Sequence, residues 1–321
     1  MNKNYVLLQA TQEFFLEIED GFFGGKLEFS LNGASWTFVK SKPKAVIVSG
    51  GGKLYLRGSG NLRLKREHLT CHFGKQCEVS VSGKLSALLD YRLAEPPMDE
   101  FAFYRLFEGL PIASAKELIL SKTGLSEYCY DSMFYGCTGL KDSPALPARK
   151  LAEGCYDGMF RGCTGLEEAP ELSAEELAEG CYDGMFRGCT GLEEAPELSA
   201  EELAEGCYRY MFCGCTGLKE APALPAKTLA EGCYNDMFRG CHALRVPPRM
   251  AGPQKGMPYG ACTRGMFSLA GIRVSKVKTA KYTEPFCIQS PRRGVSKNFF
   301  SGTYGDYQGD LVLNEIYYLA P

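Results

Sequence analysis

The feature that most constrains this chain is self-similarity at a period of 26 residues, in units that begin at Leu125, Leu151, Leu177, Leu203 and Leu229. Residues 151–176 and 177–202 are the same sequence, LAEGCYDGMFRGCTGLEEAPELSAEE, without one difference. A unit this short can bury its apolar side only against copies of itself, so the units must stack and both ends of the stack need covering. The positions that stay apolar or small are Leu151, Cys155, Met159, Phe160, Cys163, Leu166, Ala169 and Leu172, which makes them the expected inward set. The spacing of 151, 155 and 159 is near-helical, but Gly154, Gly158 and Gly162 would each cost a free helix about 1 kcal/mol, which leaves room only for a short helical turn. The arc from Leu166 to Leu172 reads as a brief strand, stopped by Pro170 and its equivalents Pro144, Pro196 and Pro222, which cannot donate to a ladder. Main-chain bonding between units is therefore expected to be sparse, with the stacking of like side chains as the main source of stability.

Upstream of the repeats, residues 1–95 alternate strand-like runs (Tyr5 to Leu8, Phe14 to Ile18, Lys26 to Ser30, Ala45 to Val48, Lys53 to Arg57, Glu78 to Val81) with turns at Gly24-Gly25, Asn32-Gly33 and Gly50-Gly51-Gly52. This predicts a β-rich N-terminal domain. Pro96-Pro97 marks its boundary, and residues 96–124 read as a junction and degenerate capping coil, with Phe103-Tyr104 where later units have Cys-Tyr. Residues 125–254 hold the five repeats. After Gln254 the spacing slips by three residues and recovers at Cys262 and Met266-Phe267, so residues 255–321, with strand-like Leu311 to Leu313 and Ile316 to Leu319, are expected to form a C-terminal cap.

The run GMFRGCTGLEEAPELSAEELAEGCY resembles the BspA-like leucine-rich repeats of bacterial surface proteins, in which an aromatic-x-x-Cys-x-x-Leu core precedes a Pro-containing strand. SLNGASWTF and LYLRGSG resemble the β-domain that precedes such arrays. Taken with the repeat, the expected fold is mixed α/β: a leucine-rich-repeat solenoid with short parallel strands, preceded by a small β-sandwich-like domain. The resemblance implies a cell-surface or extracellular setting and a part in adhesion or recognition, and it carries no catalytic residues.

Charge and apolar patterning narrow the partners. Lys and Arg number 36 against 38 Asp and Glu, so no nucleic-acid partner is expected. Apolar runs such as Ala45 to Val48 fall far short of the ~20 residues a membrane-spanning helix needs, and no membrane insertion is expected. Met1 is followed by Asn2, Lys3, Asn4 and a stretch that soon meets Glu13 and Glu17, so no signal-peptide core is read there. That leaves localisation open between a cell surface and a phage particle.

The cysteine pairs 129/137, 155/163, 181/189, 207/215 and 233/241 occupy apolar slots and read as buried, reduced thiols, since their spacing does not match zinc-ligand patterns. Disulfides between equivalent cysteines on neighbouring units remain a second possibility. Cys213 stands where other units have Tyr135, Arg161, Arg187 and Arg239, which makes it the exposed, candidate reactive thiol. Cys71 and Cys77 flank a turn and suit a disulfide or a packed pair better than zinc. The stretch Ile-Val-Ser-Gly-Gly-Gly-Lys at 47–53 lacks both the first glycine and the Ser or Thr of a phosphate loop, and reads as a glycine-rich hairpin. The only imidazoles are His68, His72 and His242, without a nucleophile motif. No cofactor, metal or catalytic residue is expected.

Each identical unit holds seven acidic residues and one Arg, whereas residues 255–321 hold nine basic residues and four acids. The chain is thus polarised along its stacking direction, and Glu167, Glu168, Glu171, Glu193, Glu194 and Glu197, beside the brief strand, form a candidate partner-binding stripe set against the alternative of a merely solvated face. The expected function is a recognition or adhesion-type module that engages a protein or glycan. The alternatives are a receptor-binding structural component of a phage or similar particle and, behind it, an enzyme with its site in the N-terminal domain.

Overall fold

The computed structural model describes residues 4–18, 25–39, 44–74, 76–245, 248, 255–256, 262–268, 270, 274–276 and 317–319. Most of the C-terminal cap expected over 255–321, including Leu311 to Leu313, lies outside them.

Eight strands form the first part: β1 (Val6–Ala10), β2 (Phe14–Ile18), β3 (Lys26–Ser30), β4 (Thr37–Phe38), β5 (Lys44–Val48), β6 (Lys53–Ser59), β7 (Leu69–Phe73) and β8 (Val79–Lys84). One sheet runs β8-β1-β6-β3-β4 and the other β5-β2-β7, all antiparallel. Strand alternation turns Val6 and Leu8, Leu54 and Leu56, and Val79 and Val81 inward from the first sheet, and Phe14, Leu16, Val46 and Val48 from the second. These side chains belong to one core, which continues through every repeat to Ala270. Because β5 and β6 lie in different sheets, the Gly50-Gly51-Gly52 turn is a crossover between sheets and not the hairpin its composition suggested.

The free edge of β8 is where the repeats begin. It takes β9 (Ile112–Ser114) and β10 (Leu118–Ile119) in parallel, and a parallel bridge from Ser114 to Asp142 carries the pairing into the next unit. On another side, Leu64 and Arg66 N–H donate to Ala102 and Tyr104 O at 2.7 and 3.3 Å. The segment 98–124 is therefore a coil with neighbours on both faces. Its register differs by one residue from the sequence reading: Phe103 stacks on Tyr130 (5.7 Å) and Phe107 on Phe134 (5.4 Å), so Ala102-Phe103 fill the Cys-Tyr slot.

The mixed α/β leucine-rich-repeat solenoid expected from the sequence is not what forms. The structure is almost entirely β and turn; helix is reduced to short pieces such as Ala87–Asp90 and the 3-10 turn Arg66–His68, while the small β-domain agrees with the expectation. Residues 153–162, read as a helical turn, are a run of tight turns instead. In that run alternate amides go different ways. Tyr130, Ser132, Phe134 and Gly136 N–H donate to Cys155, Asp157, Met159 and Arg161 O of the next unit at 2.7–3.0 Å, while Asp131, Met133, Tyr135 and Cys137 donate to the carbonyl three residues back. Main-chain bonding between units is thus dense, not sparse, and it falls in the turn run, where no proline stands.

Such a run needs a left-handed residue at every fourth position. Gly158 (φ +54°) and Gly162 (φ +74°) supply it at no steric cost, and Ser132 and Tyr210 take the first of these slots at φ +54° and +55° in their own units. The glycines that argued against a helix are the residues that make this turn. A four-residue turn also buries neighbours in pairs, Cys155 with Tyr156 and Met159 with Phe160, so Tyr156 joins the inward set although helical spacing had passed it over.

Like then stacks on like. Phe134, Phe160, Phe186, Phe212, Phe238 and Phe267 form one column at 5.5–5.8 Å and Tyr130 to Tyr234 another at 5.6–6.1 Å, with rings near parallel. The fourteen cysteines among the described residues are free thiols. One column has a distinct role: Cys163, Cys189 and Cys215 Sγ–H donate to Phe134, Phe160 and Phe186 O of the preceding unit at 3.0–3.1 Å. Cysteine here is a small apolar side chain that also satisfies a buried carbonyl.

Candidate functional site

Because units stack in register, every surface position becomes a column, and the columns after the turn run carry the charge. All six glutamates of the candidate stripe, Glu167, Glu168, Glu171, Glu193, Glu194 and Glu197, are exposed on one strip of the stack. Parallel bridges join Glu168 to Glu194 and Glu194 to Glu220, which sets three carboxylates directly in line. Like charges placed opposite one another across strands destabilise, so this column costs the fold something.

Besides Glu220, the same strip holds four further glutamates outside the candidate stripe, Glu175, Glu176, Glu201 and Glu202, all exposed. Basic residues bracket the acidic block on both sides. Arg149 and Lys150 of the preceding unit pair with Glu175 (2.8 Å) and Glu176 (2.9 Å), and Lys219 and Lys227 of the following unit pair with Glu193 and Glu201. These bridges are exposed and each contributes at most ~1 kcal/mol. They neutralise the margins and leave the middle: among the described residues, Glu167, Glu168, Glu171, Glu194, Glu197 and Glu202 have no ion-pair partner. Reading charge down the 26-residue columns, rather than along each unit, would have found both the extra glutamates and their basic margins.

The turn run presents a different face. Asp131, Asp157 and Asp183 stand one per unit in a column, followed by Arg209, whose Nε donates to Asp183 Oδ2 at 2.8 Å. Burial, with Asp183 and Asp131 on either side, pushes Asp157 up to about 7, against the weaker pull of Arg209 and Arg161. Arginines lie over the tyrosines of this face, Arg161 over Tyr135 (5.5 Å) and Arg187 over Tyr210 (5.2 Å). Arg209 satisfies Asp183 here, whereas among the described residues Asp157 has no ion-pair partner.

Cys213, the candidate reactive thiol, sits on this second face and is half-buried. Burial pushes its thiol up, with Arg187 and Arg239 pulling the other way. Cys71 is pushed up to about 12 by burial, and His72 beside it stacks on Phe15 at 4.2 Å. Among the described residues no helix is long and apolar enough to cross a membrane. No family model, no curated protein and no solved structure matches this chain.

Proposed function

We propose that the chain is a recognition module whose repeat stack engages a protein or glycan partner through the acidic strip, with cationic groups on the partner's side. The observation that carries this reading is the Glu168, Glu194 and Glu220 column, three exposed carboxylates in bridge register with no cation among them. A strip that repels itself in the free protein is relieved when a basic surface covers it, and its charge acts over a distance on encounter. The identical second unit doubles that charge and leaves the buried columns unchanged.

The test begins with a screen of the full chain against protein and glycan panels, followed by kinetics on each ligand found. Replacing Glu168, Glu171, Glu194 and Glu197 by Gln lowers the association rate severalfold at about 0.05 M salt and much less at about 0.5 M, where the screening length has shrunk to a few ångströms. Equal rates with equal salt slopes in the two proteins overturn the reading.

A further inference from the structure

An open cavity of about 640 Å³ lies where the coil 98–124 meets the next unit, lined by Lys122, Leu125, Pro147, Arg149, Lys150 and Leu151. At the following interface the same corner is closed: Leu151 N–H donates to Glu176 O and Glu176 N–H to Arg149 O, both at 3.0 Å. Here it is open, and the cause is local. Ser121 N–H turns inward to the buried hydroxyl of Tyr130 (3.2 Å), and Gly124 at φ +67° carries the chain round the corner. Among the described residues, the amides of Lys122, Thr123, Gly124, Leu125, Arg149 and Lys150 then have no hydrogen-bond partner.

The corner thus combines three kinds of group. Leu125, Pro147 and Leu151 give an apolar floor, Lys122, Arg149 and Lys150 give positive charge, and the backbone adds amides that no protein group occupies. The volume suits a small molecule, since pockets for such ligands run from ~300 to ~1,000 Å³ with apolar walls and a few convergent polar groups. We propose that this corner binds a small organic anion, a carboxylate or phosphate carried on an apolar body. The head is held by Lys122 and the free amides, and the body covers Leu125 and Leu151. Arg149 and Lys150 are drawn on as well, but each already pairs with a glutamate of the acidic strip, at 2.8 and 2.9 Å. The ligand therefore competes with Glu175 and Glu176 for them. The site shares Arg149 and Lys150 with the margin of the strip, but Lys122, which holds the head, takes no part in it.

Calorimetric titration of the full chain with decanoate below its micelle concentration tests the proposal, with decanol, acetate and inorganic phosphate as the other probes. One decanoate binds per chain, and decanol, acetate and phosphate each bind at least tenfold more weakly. Lys122→Glu, at an exposed position, weakens decanoate at least tenfold without moving the thermal transition, and the double variant Glu175→Gln with Glu176→Gln tightens it about threefold. Decanol binding as well as decanoate would show a merely greasy surface, and phosphate binding as well would show an idle floor. Either result, or decanoate binding indifferent to Lys122→Glu, overturns the assignment. A change in protein-partner kinetics plays no part in the outcome, so this site and the acidic strip fail separately.

Discussion

The β-domain and the repeat stack share one core, yet each sets its register by different means. In the β-domain, register comes from alternation along each strand: a slip of β1 by one residue against β6 would carry Val6 and Leu8 from the core to the surface while Leu54 and Leu56 stayed inside. In the stack, alternation is confined to short arcs such as Pro170 to Ala174. Register there is fixed between units, where Phe meets Phe, Tyr meets Tyr, and a cysteine thiol meets the carbonyl of the phenylalanine one unit back. The first kind of information is local and the second repeats at a distance of 26 residues. A fault in the β-domain should be felt along a strand, and a fault in the stack up and down a column.

The sharpest way to break that comparison is a hole in a column. Phe186 is fully buried between Phe160 and Phe212 at 5.8 and 5.7 Å. Phe186→Ala is expected to cost about 3–5 kcal/mol, at the level of other large-to-small core changes. Amide hydrogen exchange should rise in the units on both sides of the hole before it rises in β1 and β6. Exchange rising only within residues 177–202, or equally in β1, would show that columns do not transmit the fault.

The same contrast explains what the sequence disclosed. The strands Phe14–Ile18 and Lys26–Ser30 are legible to the residue, the first as a short apolar and aromatic run and the second because alternation is written into consecutive positions. The period of the stack and most of its inward positions are legible as well, since self-comparison finds columns directly. The conformation inside a unit was not. Apolar residues at 151, 155 and 159 match an α-helix on spacing alone, and only the φ of Gly158 and Gly162 tells a four-residue turn from a 3.6-residue one. A glycine there is a penalty in a helix and a left-handed permit in a turn, and the dense bonding between units and the burial of Tyr156 follow only from the turn. At the acidic strip, Glu167 to Glu197 stood out as clustered charge within a unit. Their margins, Arg149 with Glu175 and Lys219 with Glu193, join residues 26 apart and appear only when units are laid side by side.

A smaller effect separates the two regions by pH. Asp157 is held at about 7, above its ordinary value of 3.8, because it is half-buried between Asp131 and Asp183 with only Arg209 and Arg161 to relieve it. A carboxyl whose folded value is raised binds its proton more tightly in the folded state. Its contribution is fully present below about pH 4 and is lost as pH rises towards 7. Asp157→Asn is therefore expected to stabilise the protein at pH 7.5 by ~1–2 kcal/mol, allowing for partial solvent screening, and to leave it nearly unchanged at pH 4. Thermal unfolding of both proteins from pH 4 to 8 measures this. Parallel curves would show that Asp157 is ionised without penalty, and that the turn face tolerates a column of charge as the exposed strip does.

The smallest expected effect on stability comes from the largest change in sequence, removal of one identical unit, Leu177 to Glu202. No strand of the β-domain could be removed in this way, because each pairs with neighbours of different sequence. In the stack, Phe160 would meet Phe212 and Tyr156 would meet Tyr208, so the columns close over the gap. The charges close too, and to advantage. Asp157 would stand next to Arg209, which now serves Asp183; Glu167 would meet Lys219; and Glu175 would lie between Arg149 and Lys227. One unit interface is lost and two unrelieved carboxylates, Asp157 and Glu167, gain partners, so the thermal midpoint should move by only about 2–4 °C. The strip itself would be nearly neutralised, keeping Glu168, Glu171 and Glu220 as its free acids. If the strip recruits a cationic partner, this shortened protein should associate as slowly as the quadruple Gln variant while remaining folded. A shortened protein that unfolds without cooperativity would mean that the units are not interchangeable despite their identity, and that register in the stack is imposed from the β-domain end.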